Sequence, residues 1–122
     1  MVKVLFDTNI LIDFLKGLPE AQAELNLHPE KAISIVSWME VMAGTIPSRE
    51  GPTRAFLNRF EVIHLDQTVA DAAASFRRDM RIKLPDAIIW GSAACHSLLI
   101  VTRNTKDFPA DHPGVRVPYL LQ

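Results

Sequence analysis

Four carboxylates in this chain stand where an α/β protein gathers its chemistry: Asp7, Glu40, Asp86 and Asp107. Asp7 follows the β-rich run Val2–Phe6 directly. Glu40 lies in the first turn of a helix read from Ser37, after the apolar run Ala32–Val36. Asp86 follows Pro85 in the first turn of a further helix, and Asp107 sits in the loop after Leu98–Val101. In a parallel sheet the helices start near the carboxyl ends of the strands, and ligands bind at that edge. All four acids therefore belong to one edge. Carboxylates crowded at a half-buried edge repel one another and take up protons. A divalent cation removes that penalty, and oxygen-only ligands select Mg²⁺ or Mn²⁺. No histidine stands beside any of the four, which argues against zinc.

Each acid taken singly also suits a structural role. Asp7 can cap the helix after it, and Ser37-Trp38-Met39-Glu40 has the form of a capping box. Asp86 suits a helix dipole and Asp107 a turn. Context separates the readings at Asp86. Pro85 favours the first helical positions, so Asp86 falls inside the helix, and Ala87, Ile88 and Ile89 carry that helix start into the interior.

The elements that must position these acids follow from periodicity. Thr8–Lys16 carries Ile10, Leu11, Phe14 and Leu15 at helical spacing, stopped by Gly17 and Pro19. Glu20–Leu27 and Pro52–Phe60 read as helices, and Gln67–Lys83 as the longest one. Pro85–Ser97 is the last helix. Strands are read at Val2–Phe6, Ala32–Val36, Glu61–Leu65, Leu98–Val101 and Val115–Val117. This alternation predicts a single α/β domain over residues 1–122, three layers with a mostly parallel central sheet flanked by helices.

Composition bounds the function. The chain has 122 residues, 48% of them hydrophobic and 22% charged, enough for one ordinary core. A net charge of −1 excludes a generically basic nucleic-acid binder. Setting the four acids aside leaves thirteen bases against ten acids, so a basic surface around an acidic centre is compatible with the balance. One cysteine, Cys95, excludes an internal disulfide. No apolar run reaches the ~18 residues of a membrane helix, and Val2–Phe6 is too short for a signal-peptide core. A cytosolic, cytoplasmic protein without membrane association is expected.

The segments Phe6-Asp7-Thr8-Asn9-Ile10, Ser34–Glu40, Leu84-Pro85-Asp86-Ala87-Ile88-Ile89 and Val101–Phe108 follow one another in an order that resembles the PIN domain. The likeness is greatest to VapC-type toxins of prokaryotic toxin–antitoxin pairs, and it runs from Val2 to about Val117. It implies a ribonuclease that uses Mg²⁺ or Mn²⁺, with Asp7, Glu40, Asp86 and Asp107 as its metal-binding catalytic acids. Thr8, Asn9, Thr102 and Asn104 match polar positions that orient those acids or the attacking water. The resemblance further implies products with a 5′-phosphate and a 3′-hydroxyl, a homodimer, and a cognate VapB-type antitoxin that holds the toxin inactive. Trp38-Met39 is bulkier than the small or aliphatic pair usual before the glutamate.

A track for RNA phosphates is expected along Arg77, Arg78, Arg81 and Lys83, with Arg103 and Lys106 beside Asn104. Cys95, Trp90 and Phe76 read as core, His64 and His96 as structural or surface residues, and Asp13, Glu20 and Glu24 as solvated acids. Two rival functions remain. An aspartate-based phosphotransferase would want a second acid two residues after Asp7, where this chain has Asn9. A non-catalytic RNA- or protein-binding module has no use for a full set of four acids.

Overall fold

The structure, a computed structural model, describes residues 2–121. Five short strands form one sheet: β1 (Val4–Phe6), β2 (Lys31–Ser34), β3 (Glu61–Ile63), β4 (Leu99–Val101) and β5 (Val115–Arg116). Their order across the sheet is β3-β2-β1-β4-β5, and every neighbouring pair runs parallel. Parallel neighbours need crossovers, and helices supply them. These are α1 (Thr8–Leu15), α2 (Pro19–Leu27), α3 (Ile35–Ala43), α4 (Glu50–Leu57), α5 (Gln67–Met80) and α6 (Leu84–His96), with a 3-10 turn at Pro47–Arg49.

Side chains alternate across β1 and feed two cores. Val4 and Phe6 pack with Ile10, Leu11, Leu25, Phe56 and Leu57 beneath α1, α2 and α4. Leu5 packs on the other face with Ala73, Ile89, Trp90 and Phe108, beneath α5 and α6. All three β1 side chains are fully buried, as expected of a central parallel strand covered on both faces. The approach of α5 to α6 depends on Gly91. A Cβ there would stand 2.9 Å from the Val69 carbonyl oxygen and 3.0 Å from the Ala73 nitrogen. Among the described residues no helix is long and apolar enough to cross a membrane.

Several boundaries differ from the sequence reading, among them the helix read at Pro52–Phe60, which spans Glu50–Leu57. The strand read to Val36 ends at Ser34, because the Ser34 hydroxyl accepts a hydrogen bond from the Val36 amide (3.1 Å) and caps α3 there. Ser37 is therefore inside the helix, the Ser37–Glu40 capping box does not form, and Glu40 lies in the second turn. The long helix read to Lys83 stops at Met80, where Arg81 takes a left-handed conformation (φ 55°) that glycine would normally supply. Strands β1, β3, β4 and β5 are each shorter than read.

Candidate active site

The chain fills the sheet outward from β1 to β2 and β3, then crosses back to place β4 on the other side of β1. The strand order reverses between β1 and β4, and a crevice opens at the carboxyl ends of such a pair. Asp7 follows β1 and Thr102 follows β4, so both stand at this switch point. The Asp7 amide donates to the Val101 carbonyl (2.9 Å), and the Thr102 hydroxyl donates to Asp7 Oδ2 (2.8 Å). Asn9 Nδ2 donates to the same Oδ2 (3.1 Å), while the Thr8 amide donates to Oδ1 (2.7 Å). Asp7 is thus both the cap of α1 and a buried carboxylate, only 4% exposed.

The other acids are brought in by different elements. Glu40 is exposed on α3, and its Oε1 accepts a hydrogen bond from the Thr8 hydroxyl (2.7 Å). The same hydroxyl is bonded to the buried Ser37, 2.8 Å away. Asp107 sits in the loop after β4. Asn104 Nδ2 donates to Asp107 Oδ2 (3.1 Å), and the Asp107 amide donates back to Asn104 Oδ1 (3.3 Å). Trp90 Nε1 holds the Asp107 carbonyl at 3.3 Å. Asp86 lies in the first turn of α6, after a Lys83 cap that makes no side-chain bond.

Electrostatics ties the four together. Burial pushes the Asp7 carboxyl above its ordinary value, and repulsion from Glu40 adds to this, although three hydrogen bonds oppose it. Asp86 is raised to about 6, first by desolvation, then by the Asp7 and Asp107 charges, a hydrogen bond shared with Asp107, and the Glu40 charge. Asp86 therefore feels all three of the other acids. Among the described residues no three acidic, histidine or cysteine side chains are already drawn together around one ion position. The donor set is carboxylate and hydroxyl oxygen throughout, the chemistry of a hard divalent cation. Asp86, Asp107 and Glu40 are not buried, so their side chains can turn inward.

Residues 4–110 match the PIN domain family. The chain belongs to that family. This PIN domain is 33% identical over 120 residues to the tRNA(fMet)-specific endonuclease VapC of Shigella flexneri, covering 88% of this chain and 91% of that protein. A toxin–antitoxin complex from Klebsiella pneumoniae contains a chain with a TM-score of 0.92 and 45% identity, covering 98% of this chain and 100% of that one. A DNA-bound VapBC complex from Salmonella typhimurium gives a TM-score of 0.78 at 26% identity, covering 95% of this chain and 96% of that one.

The basic residues of this PIN domain divide into engaged and free groups. Arg77 donates to the Ile82 carbonyl (2.6 Å), tying down the turn after α5, and Arg78 reaches Ser75 (3.3 Å). Arg81, Lys83 and Lys106 are exposed. Arg103 is committed to Asp13, which its guanidinium binds through Nε and Nη2 at 2.6 and 3.0 Å. Asp13 and Glu24 are accordingly buried ion-pair partners and not solvated acids. Glu24 receives Arg116 at 2.6 and 2.9 Å, and His28 at 2.7 Å. Cys95, read as a core residue, is exposed on the last turn of α6. Ser37 and Trp90 support the site without having been read as doing so. Their signal was present only as a hydroxyl three residues before Glu40 and an indole facing the Asp107 loop.

Proposed function

We propose that this PIN domain is a divalent-metal-dependent endoribonuclease and the toxin of a VapBC-type toxin–antitoxin module. The observation that carries the reading is that Asp86 is raised to about 6 first by desolvation and then by the charges of Asp7, Asp107 and Glu40, which supports one site at the β1/β4 edge. Family membership and the VapC relatives support the nuclease activity, and the 45% identical chain in a toxin–antitoxin complex supports the partner. The names of the relatives point to transfer RNA as the substrate class to test first.

Asp7, Glu40, Asp86 and Asp107 would hold Mg²⁺ or Mn²⁺ here. When bound, such an ion lowers the pKa of water and offsets charge in phosphoryl transfer. The chain's own contribution is pre-organisation. Thr102 and Asn9 fix one Asp7 oxygen while the Thr8 amide fixes the other, so this carboxylate does not reorient when substrate arrives. Thr8 steers Glu40, and Asn104 steers Asp107. Asp86 accepts its proton near pH 6, so the fully ionised set is present only above that range. Arg81, Lys83 and Lys106 offer exposed cations to RNA phosphates.

The test is cleavage of purified transfer RNA by the antitoxin-free protein, with and without chelator. The expected result is hydrolysis to 5′-phosphate and 3′-hydroxyl ends, abolished by chelation, restored by Mg²⁺ or Mn²⁺, and suppressed by the cognate antitoxin. Undiminished cleavage in excess chelator would overturn the mechanism. Cation binding without cleavage of any RNA would favour a non-catalytic module.

A further inference from the structure

We propose that Asp13, Arg103 and Tyr119 form a positioning clamp, which sets the loop after β4 and thereby holds Asp7 and Asp107 in place. The proposal rests on the nuclease reading for its functional consequence, though its geometry stands apart from it. Asp13 lies on α1 and is 4% exposed. Its Oδ2 receives Arg103 Nε at 2.6 Å and the Tyr119 hydroxyl at 2.8 Å, and its Oδ1 receives Arg103 Nη2 at 3.0 Å. A two-armed guanidinium–carboxylate pair fixes orientation as well as distance.

Arg103 is held twice by the same helix. Its side chain is fixed on Asp13, and its main-chain N–H donates to Asn9 Oδ1 at 3.3 Å. Asn9 and Asp13 are four residues apart on α1 and so share one face. Arg103 is thereby pinned along one turn of α1, and its two neighbours are the residues that organise the acids. On one side the Thr102 hydroxyl donates to Asp7 and accepts from Asn9 Nδ2 (3.2 Å) and the Asn104 amide (2.9 Å). On the other side the Asn104 side chain makes both bonds to Asp107. An unbroken chain of bonded groups runs from Tyr119, near the C-terminal end, to two of the four acids.

A phosphate contact is the competing role for Arg103. Nε and Nη2 are committed to Asp13, so only Nη1 and the second Nη2 hydrogen remain for such a contact. Burial opposes ionisation of Asp13, yet hydrogen bonds from Arg103 and Tyr119 hold its carboxyl below the ordinary value, so the pair stays charged and closed at neutral pH. Breaking such a pair leaves a buried charge without a partner.

The experiment uses the full chain and three variants, Tyr119→Phe, Arg103→Lys and Asp13→Asn, read in three ways. In the metal-free protein, amide exchange at Asn104–Phe108 should accelerate about tenfold or more in Arg103→Lys, while β1 amides stay protected. Mn²⁺ affinity should fall roughly 10–100-fold, the usual effect of removing an outer-shell partner. Cleavage should lose kcat, with KM and the salt dependence of RNA binding unchanged. Tyr119→Phe should show the same pattern more weakly, and it decides the matter if Asp13→Asn does not fold. The clamp is overturned if exchange and Mn²⁺ affinity are unchanged in Arg103→Lys and Tyr119→Phe. It is equally overturned if Arg103→Lys weakens RNA binding while exchange and Mn²⁺ affinity stay at wild-type values, because lysine keeps the charge and loses only the forked contacts a guanidinium makes to phosphate. Exchange needs no activity, so a wild type that cleaves no RNA would sink the nuclease reading and leave the clamp to be decided on its own.

Discussion

Asp7 receives three hydrogen bonds, from the Thr8 amide and the Asn9 and Thr102 side chains, whereas Asp86 is set against the charges of Asp7, Asp107 and Glu40. Asp7 is buried and Asp86 half-exposed. Both are raised above the ordinary carboxyl value, chiefly by desolvation, but only Asp86 lacks a donor network to oppose it. The pair teaches that one edge can combine a rigid acid, positioned in advance, with a repelled one that an incoming cation would relieve. Removing the charge should relieve desolvation at both positions, but at Asp7 an amide also confronts the donors, so asparagine should have opposite net effects on folding while harming catalysis at both.

The largest expected effect is at Asp7. Asp7→Asn keeps the helix cap when its oxygen stays against the Thr8 amide, but the Asn9 and Thr102 donors then meet an amide NH₂. We expect cleavage to fall roughly a hundredfold or more. Stability should drop by about 1–3 kcal/mol, from a buried donor left unpaired. Urea denaturation and RNA cleavage of the same sample check both. A stabilised Asp7→Asn would break the contrast.

Asp86→Asn should lose comparable activity yet gain stability in the metal-free state at neutral pH. The sign follows from linkage. A carboxyl near 3.8 in the unfolded chain and about 6 in the fold contributes stability at low pH that is lost as pH rises through 6. Asp13 and Glu24, held below their ordinary values despite burial, act in the opposite sense and lose their contribution as pH falls. The informative quantity is thus the difference in Tm between wild type and Asp86→Asn. It should widen in favour of the variant from about pH 4 to about pH 7.5, and Mg²⁺ or Mn²⁺ should raise the wild-type Tm at the upper end. A pH-independent difference would show that Asp86 does not titrate against its neighbours.

Thr102→Val tests the donor network without touching an acid. It removes one bond to Asp7 together with the acceptor for Asn9 and the Asn104 amide, and cleavage should fall about 10–100-fold. A Mn²⁺ titration should show weakened affinity, and wild-type affinity would mean that the remaining two donors suffice.

The smallest effect belongs to the basic residues outside the carboxylate network. Arg81→Ala with Lys83→Ala should lower the salt slope of RNA binding by about 0.7 for each phosphate these cations neutralise, without altering Mn²⁺ affinity. Arg77 is excluded from this pair because it supports the Ile82 carbonyl. An unchanged slope would assign Arg81 and Lys83 to solvent and move the RNA path toward Lys106.

The strand–helix alternation and the polar residues around the acids were legible because those signals are local. Apolar runs, Pro85 in a first helical turn, Asn9 two residues after Asp7, and Asn104 beside Asp107 lie within a few residues of what they organise. Two boundaries were misread for local reasons as well. Ser34 competed with Ser37 as the cap of α3, and α5 ends at a left-handed Arg81 where no glycine marks the stop. Asp13 and Glu24 were misread for a different reason. Their partners Arg103 and Arg116 lie 90 and 92 residues further along the chain, and a polar residue on a helix carries no mark of a distant cation.

By itself the sequence determined which residue types end the strands and start the helices, and hence that four acids share one edge of a parallel sheet. Only the tertiary structure decided that β4 lies beside β1, because strand order depends on how each crossover packs across the sheet, and not on any strand's own residues. That neighbourhood places Thr102 against Asp7 and turns Arg103 toward Asp13. It converts a set of acids along the chain into one pre-organised crevice.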